Sequence, residues 1–228
     1  MKRLLQAVMQ RLRPGGQSYA LDGVDLELSK IIRQQRGFFI EAGANDGVTQ
    51  SNTLWFEKHR WWRGLLVEPI PELAAKCRTY RPRCIVENCA LVPFDYSGTE
   101  IALQHYNLMS FVEGAFKTEA EARQHAEAAL SCQRLTPVEL RVPARTLTSI
   151  LDQHRVRRID LLSLDVEGYE LSVLRGLDFD RHAPRYLLVE ARYREEIDAF
   201  LAPRYDTVAE LGYRDVLYRL KSAAVPKS

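Results

Sequence analysis

An α/β fold built on a mostly parallel sheet is the class this sequence predicts, and three observations carry the prediction. Short apolar runs recur at residues 38–40, 64–67, 84–86, 160–164 and 186–189, as in parallel strands buried on both faces. Stretches with helical spacing separate most of them. The first run passes into Glu41-Ala42-Gly43-Ala44-Asn45-Asp46-Gly47, a glycine-spaced turn that leads into a helix-like segment opening at Ser51, Asn52 and Thr53. Strand, glycine turn and helix make the first half of a nucleotide-binding βαβ unit.

Taken in chain order, residues 1–13 place Leu4, Leu5, Val8, Met9 and Leu12 on one helical side, with Lys2, Arg3, Arg11 and Arg13 around it. The stretch lacks the apolar core and cleavage site of a signal peptide, and it reads as a short helix packing on the domain or a partner, with weak membrane-surface contact as the alternative. Residues 18–33 carry apolar side chains at mostly helical spacing. They predict a lead-in helix over the sheet edge or the ligand mouth, with Tyr19 and Asp22 able to face a ligand. Residues 1–33 are thus a helical lead-in, 34–220 a single domain, and 221–228 a tail.

The first turn departs from the dinucleotide fingerprint, which needs G-x-G-x-x-G and amides facing a pyrophosphate. Glu41 and Asp46 would repel phosphate and suit a ligand with a cationic, hydroxyl-rich face. S-adenosylmethionine has an amino group, a sulfonium and a ribose, and no phosphate. Gly43 and Gly47 allow close backbone approach. Glu68 ends the second run, 27 positions beyond Glu41, where a carboxylate can accept both ribose hydroxyls. Pro69 stops that strand. Asn88, after the third run, has the groups to read an adenine edge or to close a strand-end turn.

Here the residues resemble a family. Residues 39–47, 51–57 and 64–69 resemble the opening of FkbM-type methyltransferases, and Asp160-Leu161-Leu162-Ser163-Leu164-Asp165-Val166-Glu167-Gly168-Tyr169-Glu170 resembles their second signature. Order and spacing agree from about residue 18 to about residue 218. Many members carry Lys where this chain has Ser163. The resemblance implies a class I Rossmann-like fold: a mostly parallel seven-stranded sheet with an antiparallel C-terminal strand, made by a hairpin of residues 205–211 and 215–220. It also implies S-adenosylmethionine as cofactor and methyl transfer, usually to a hydroxyl oxygen. The cofactor contacts expected on these grounds are Glu41, Gly43, Asn45, Gly47, Ser51, Asn52, Glu68, Pro69, Asn88 and Asp165.

Residues 104–135 interrupt the βα alternation, with a helix expected over 113–130. Such insertions over the carboxyl ends of a sheet often supply a substrate lid. His105, Tyr106, Ser110 and Lys117 become substrate-side candidates. In open parallel sheets ligands sit outside the carboxyl ends of the strands. Asp165 and Glu190 reach that rim at the ends of their strands, and Glu167 on the following turn either caps the next helix or joins them. Asp165, His105 and Glu190, in that order, are the candidates for a general base. Converging carboxylates need a cation. The cofactor supplies one, and a divalent metal held by Asp165 and Glu190 would supply another.

Composition narrows the field. The chain has 228 residues, enough for one large α/β domain. The net charge of +2, with both signs interspersed, argues against a large nucleic-acid footprint. Cys77, Cys84, Cys89 and Cys132 show neither zinc spacing nor a disulfide framework. Reduced thiols and the lack of a transmembrane run lead to an expectation of a cytoplasmic protein. The sequence leaves a homodimer open. The expected function is O-methylation of a sugar, glycan or natural-product acceptor. The alternatives are a nucleotide-binding oxidoreductase or epimerase with an atypical turn, and a catalytically silent Rossmann-like interaction module.

Overall fold

The fold is seen in a computed structural model, which describes residues 16–106, 109–133 and 138–222. The expectations for residues 1–13 and the end of the tail lie outside these residues. Seven strands form one sheet: β1 (Phe38–Ala42), β2 (Arg63–Val67), β3 (Ile85–Glu87), β8 (Leu161–Leu164), β9 (Tyr186–Glu190), β10 (Tyr205–Glu210) and β11 (Asp215–Leu220). Their order is β10-β11-β9-β8-β1-β2-β3. β1, β2, β3, β8 and β9 pair in parallel, and β11 runs antiparallel between β9 and β10. The seven-stranded, mostly parallel arrangement implied by the resemblance is the one observed, with β1 and β8 as neighbours.

Strand alternation sends successive side chains to opposite faces, and each face packs its own core. Ile40, Ala42, Leu65, Val67, Leu162 and Val189 share the larger cluster. Phe39, Leu66, Leu161, Leu188 and Leu217 pack on the other face with Val24 and Leu28 of α1 (Val24–Ile31) and Phe56 of α2 (Leu54–Arg60). The lead-in helix therefore exists, but is shorter than residues 18–33: a 3-10 turn, Leu21–Gly23, precedes it. α3 (Pro71–Tyr80) starts with Pro at its first position, where a missing N–H costs nothing.

A second sheet was not foreseen. β4 (Ala90–Leu91), β7 (Val138–Arg145), β5 (Glu100–His105) and β6 (Phe111–Val112) lie in the order β4-β7-β5-β6. Its strands are short or half-polar, so periodicity gives only extended stretches there. The insertion supplies β6 and α4 (Glu119–Gln133), a helix that starts six residues later than expected. The remaining helices are α5 (Leu147–Gln153), capped by Thr146, then α6 (Glu170–Leu174), α7 (Phe179–His182) and α8 (Arg194–Leu201). No helix among the described residues is long and apolar enough to cross a membrane.

Candidate active site

A cavity of about 210 Å³ opens at the carboxyl ends of β1, β2, β8 and β9. Gly43, Asn45, Glu68, Pro69, Asp165 and Glu190 line it, six of the residues proposed from sequence, together with Ser110 and Glu167. Leu73, Cys89, Leu91, Leu103 and Val112 form an apolar wall.

Glu68 is buried where β2 ends, and two backbone amides hold its carboxylate: Asn45 N–H donates to Oε2 (2.8 Å) and Ile70 N–H to Oε1 (3.0 Å). Each oxygen keeps a lone pair for a further donor. Burial raises the Glu68 pKa to about 7, against the opposing pull of those amides. Asn45 holds the turn at φ +49°, a left-handed conformation that asparagine tolerates. Gly43 sits at φ +82°, and a Cβ there would lie 1.8 Å from the backbone oxygen of Asp165. This glycine is required by the closeness of the β1 and β8 exits, which also share the bond from Asp165 N–H to Ala42 O (3.1 Å).

Across the cavity, Asp165, Glu167 and Glu190 each bring a carboxylate oxygen within 4.8 Å of the others. Asp165 opens onto the cavity but is walled by protein. Its pKa is raised well above the usual carboxylate range, first by burial and then by the charges of Glu190 and Glu167. Glu167 is raised to about 8, by burial and Glu190, with Arg192 opposing. Glu167 occupies the left-handed region at φ +54° and does not cap the next helix. The helix has no side-chain cap; Glu170, its first residue, instead braces the preceding turn, its Oε1 accepting from Val166 N–H (3.2 Å) and Gly168 N–H (2.8 Å). Oε2 of Glu170 and Oε2 of Glu190 are buried without a partner. Together these carboxylates suit a cation. Asp165, Glu167 and Glu190 could hold a metal ion, and the same set suits an ammonium or sulfonium.

Several expected contacts are placed elsewhere. Glu41 follows Phe39 by two positions and so points to the opposite sheet face from Ala42. There it accepts from Ser51 Oγ (2.9 Å), Asn52 N–H (2.8 Å) and Thr53 Oγ1 (2.6 Å), with the Arg81 guanidinium 3.6 Å away. Glu41, Ser51 and Asn52 therefore build the β1–α2 loop and do not line the cavity. The Asn52 side chain donates to Ser163 Oγ (3.1 Å). Gly47 contributes its carbonyl to Arg81 Nη1 (2.9 Å). Asp46 accepts from Val48 N–H (2.9 Å) and Thr49 N–H (2.7 Å). Asn88 donates to the carbonyls of Glu68 and Pro69, both at 2.9 Å, which fixes the turn, and it is not part of the cavity wall.

Among the substrate-side candidates, His105 ends β5, where it pairs with Val138, and is not part of the cavity wall. Tyr106 is buried and stacked on Phe111. Lys117 is on the surface, paired with Glu196. Asp22 lies in the 3-10 turn and Tyr19 gives its N–H to Asp25 (2.7 Å); Leu21, beside Asp22, is the lead-in residue that reaches the cavity. Sequence reasoning missed Tyr169, Thr49 and Gln50 in the lining, and His125 and Arg192, which stand 3.7 Å and 4.0 Å from Glu167 beside it. His125, on α4, faces Met109 O (3.0 Å) with Nε2 and Arg192 Nη2 (3.1 Å) with Nδ1. Burial and Arg192 lower its pKa, so the ring is neutral with its proton on Nε2. A lone His in an Ala-rich helix carries no signal that would have singled it out.

A parallel sheet with one inserted antiparallel strand, and a ligand cavity at the carboxyl ends of its strands, define the class I methyltransferase type of Rossmann-like fold. The chain belongs to the FkbM methyltransferase family, matching the "Methyltransferase FkbM domain" over residues 41–214. A crystal structure of methyltransferase FkbM from Methylobacillus flagellatus KT is similar at 14% identity and a TM-score of 0.49, over 84% of this chain and 45% of that one. A TehB-like SAM-dependent methyltransferase from Corynebacterium glutamicum ATCC 13032 Kitasato is similar at 10% identity and a TM-score of 0.43, over 96% and 97% of the two chains. The chain thus spans less than half the length of the Methylobacillus protein. No curated protein matches it.

Proposed function

We propose that the chain transfers a methyl group from S-adenosylmethionine to a hydroxyl oxygen of a sugar, glycan or natural-product acceptor. The observation that carries this reading is the split cavity, with Glu68 at one end and the Asp165, Glu167 and Glu190 cluster at the other. The family supports methyl transfer over the oxidoreductase and silent-module alternatives. When bound, S-adenosylmethionine would supply a methyl carbon already activated by sulfonium.

The residues present fit that group. Glu68 has two lone pairs left for the ribose hydroxyls, Leu73, Cys89 and Leu91 offer an apolar wall for adenine, and the carboxylate cluster faces cationic charge. Most of the rate advantage would come from alignment, which can account for about 7–11 kcal/mol. Asp165 would accept the proton of the acceptor hydroxyl as its oxygen bonds to the methyl carbon and the carbon–sulfur bond breaks. Burial and then the charges of Glu190 and Glu167 raise its proton affinity, and a cationic ligand beside it would hold it ionised and able to take that proton; a positioned base contributes roughly 10²–10⁴-fold. A divalent ion on Asp165, Glu167 and Glu190 is a second reading, favoured by their convergence.

The test is incubation with methyl-labelled S-adenosylmethionine and a panel of hydroxyl-bearing saccharides and natural products, with mass spectrometry of the products. An O-linked label is expected, with Asp165→Asn slowing turnover by roughly 10²-fold or more. Label on nitrogen would overturn the O-methyl assignment. Activity lost on chelation and restored by Mg²⁺ would favour the ion.

A further inference from the structure

The opposite edge of the sheet carries a second concavity. An open groove of about 1390 Å³ runs past the amino ends of β8 and β9, the end of β11 and the start of β10. It lies a strand length from the cavity, roughly 15–20 Å. Seven cationic side chains line it against four aspartates, a surplus of three positive charges in a chain whose net charge is +2.

The surplus is local and uncompensated. Arg155, Arg157 and Arg219 are exposed, and none of their guanidiniums has a hydrogen-bond or ion-pair partner among the described residues. Arg185 and Arg158 both donate to the same oxygen, Oε1 of Gln34, at 3.2 Å and 3.1 Å. Arg158 also pairs with Asp160 (2.8 Å), but Arg185 meets no carboxylate among the described residues. Two guanidiniums brought to one neutral acceptor repel each other, and an anion between them would remove that cost. In the groove wall His182 is 8% exposed; its Nε2 faces Asp152 (3.1 Å) while its Nδ1 is buried without a partner.

We propose that this groove is a second binding site, for a ligand carrying closely spaced oxyanions and no aromatic part. Guanidinium forks match phosphate and sulfate bidentately. No Phe, Tyr or Trp lines the groove, so it has no platform for stacking bases, which excludes single-stranded nucleic acid as the fitting partner. A free oligophosphate and a saccharide chain bearing phosphate or sulfate share the required chemistry.

Calorimetric titration of the full chain at roughly 0.1 M salt tests this, with inorganic tripolyphosphate, a sulfated heparin hexasaccharide and an oligothymidylate as probes. One variant combines Arg155→Ser, Arg157→Ser and Arg219→Ser. A charge-matched control combines Arg63→Ser, Arg83→Ser and Arg123→Ser. Tripolyphosphate or the hexasaccharide should bind, whichever is tighter identifying the source, and the groove variant should lose roughly tenfold or more in affinity. The control should stay within about twofold of the parent. Absence of binding by both anions, equal losses in the two variants, or tightest binding of the oligothymidylate would overturn the proposal. S-adenosylhomocysteine affinity should be unchanged in the groove variant, which keeps this site separate from the methyltransferase reading.

Discussion

Gly43 shows how one residue couples backbone and site. Its glycine spacing suggested room for a ligand, whereas the structure uses that room for the carbonyl of Asp165. Gly43→Ala combines a left-handed φ with a backbone overlap that no rotamer relieves. It should cost about 3 kcal/mol or more, read as a shift in the urea midpoint. Gly114→Ala has nearly the same φ but open space around it, so it should cost only about 1 kcal/mol. Similar losses in the two variants would show that the β1–β8 contact is not tight. Glu68, Asp165 and Glu190 were legible as cavity residues because strand ends in a parallel sheet share an edge. Glu41 was misplaced because the apolar run at residues 38–40 is buried on both faces and does not reveal which face the next side chain joins.

Between β1 and α2 the chain is held by a buried polar network that the sequence did not announce. Arg81, 0% exposed, lies 24 positions from its partner Glu57 and 40 from Glu41, too far for any local pattern to connect them. Its Nε bonds Glu57, and its Nη atoms reach Gly47 O (2.9 Å) and Thr53 Oγ1 (3.2 Å). Its charge offsets two buried carboxylates. Removing it in Arg81→Met would leave both unpaired and should cost about 3–5 kcal/mol of unfolding free energy. A loss below about 1 kcal/mol would mean water already reaches the network. The double variant Arg81→Met with Glu57→Leu should recover part of the loss. The second sheet escaped the sequence for another reason: β4 and β6 have two residues each, below the length at which alternation is visible.

The molecule as assembled gathers carboxylates with raised pKa values around one cavity. Glu68 and Glu170 sit at about 7, Glu167 at about 8, and Asp165 is raised as well. Between about 4.5 and about 8 the folded chain holds protons that the unfolded chain has released, so these groups stabilise the fold at low pH and lose that contribution as pH rises. The ligand-free protein should therefore unfold at lower urea concentration at pH 8.5 than at pH 6. Glu170→Gln should remove about 1–2 kcal/mol of the difference between pH 6 and pH 8.5. An unchanged pH profile in that variant would place the carboxyl in contact with water. A cationic ligand would reverse the trend by favouring the ionised cluster.

The proposed donor site is tested by calorimetric titration of S-adenosylhomocysteine into the parent chain and Glu68→Ala, each first checked for folding by near-ultraviolet circular dichroism. The parent should bind one equivalent, and Glu68→Ala should bind at least about tenfold more weakly through loss of the ribose acceptor. A folded parent chain that gives no binding heat at any temperature tried, or a Glu68→Ala variant that binds at full strength, would contradict it.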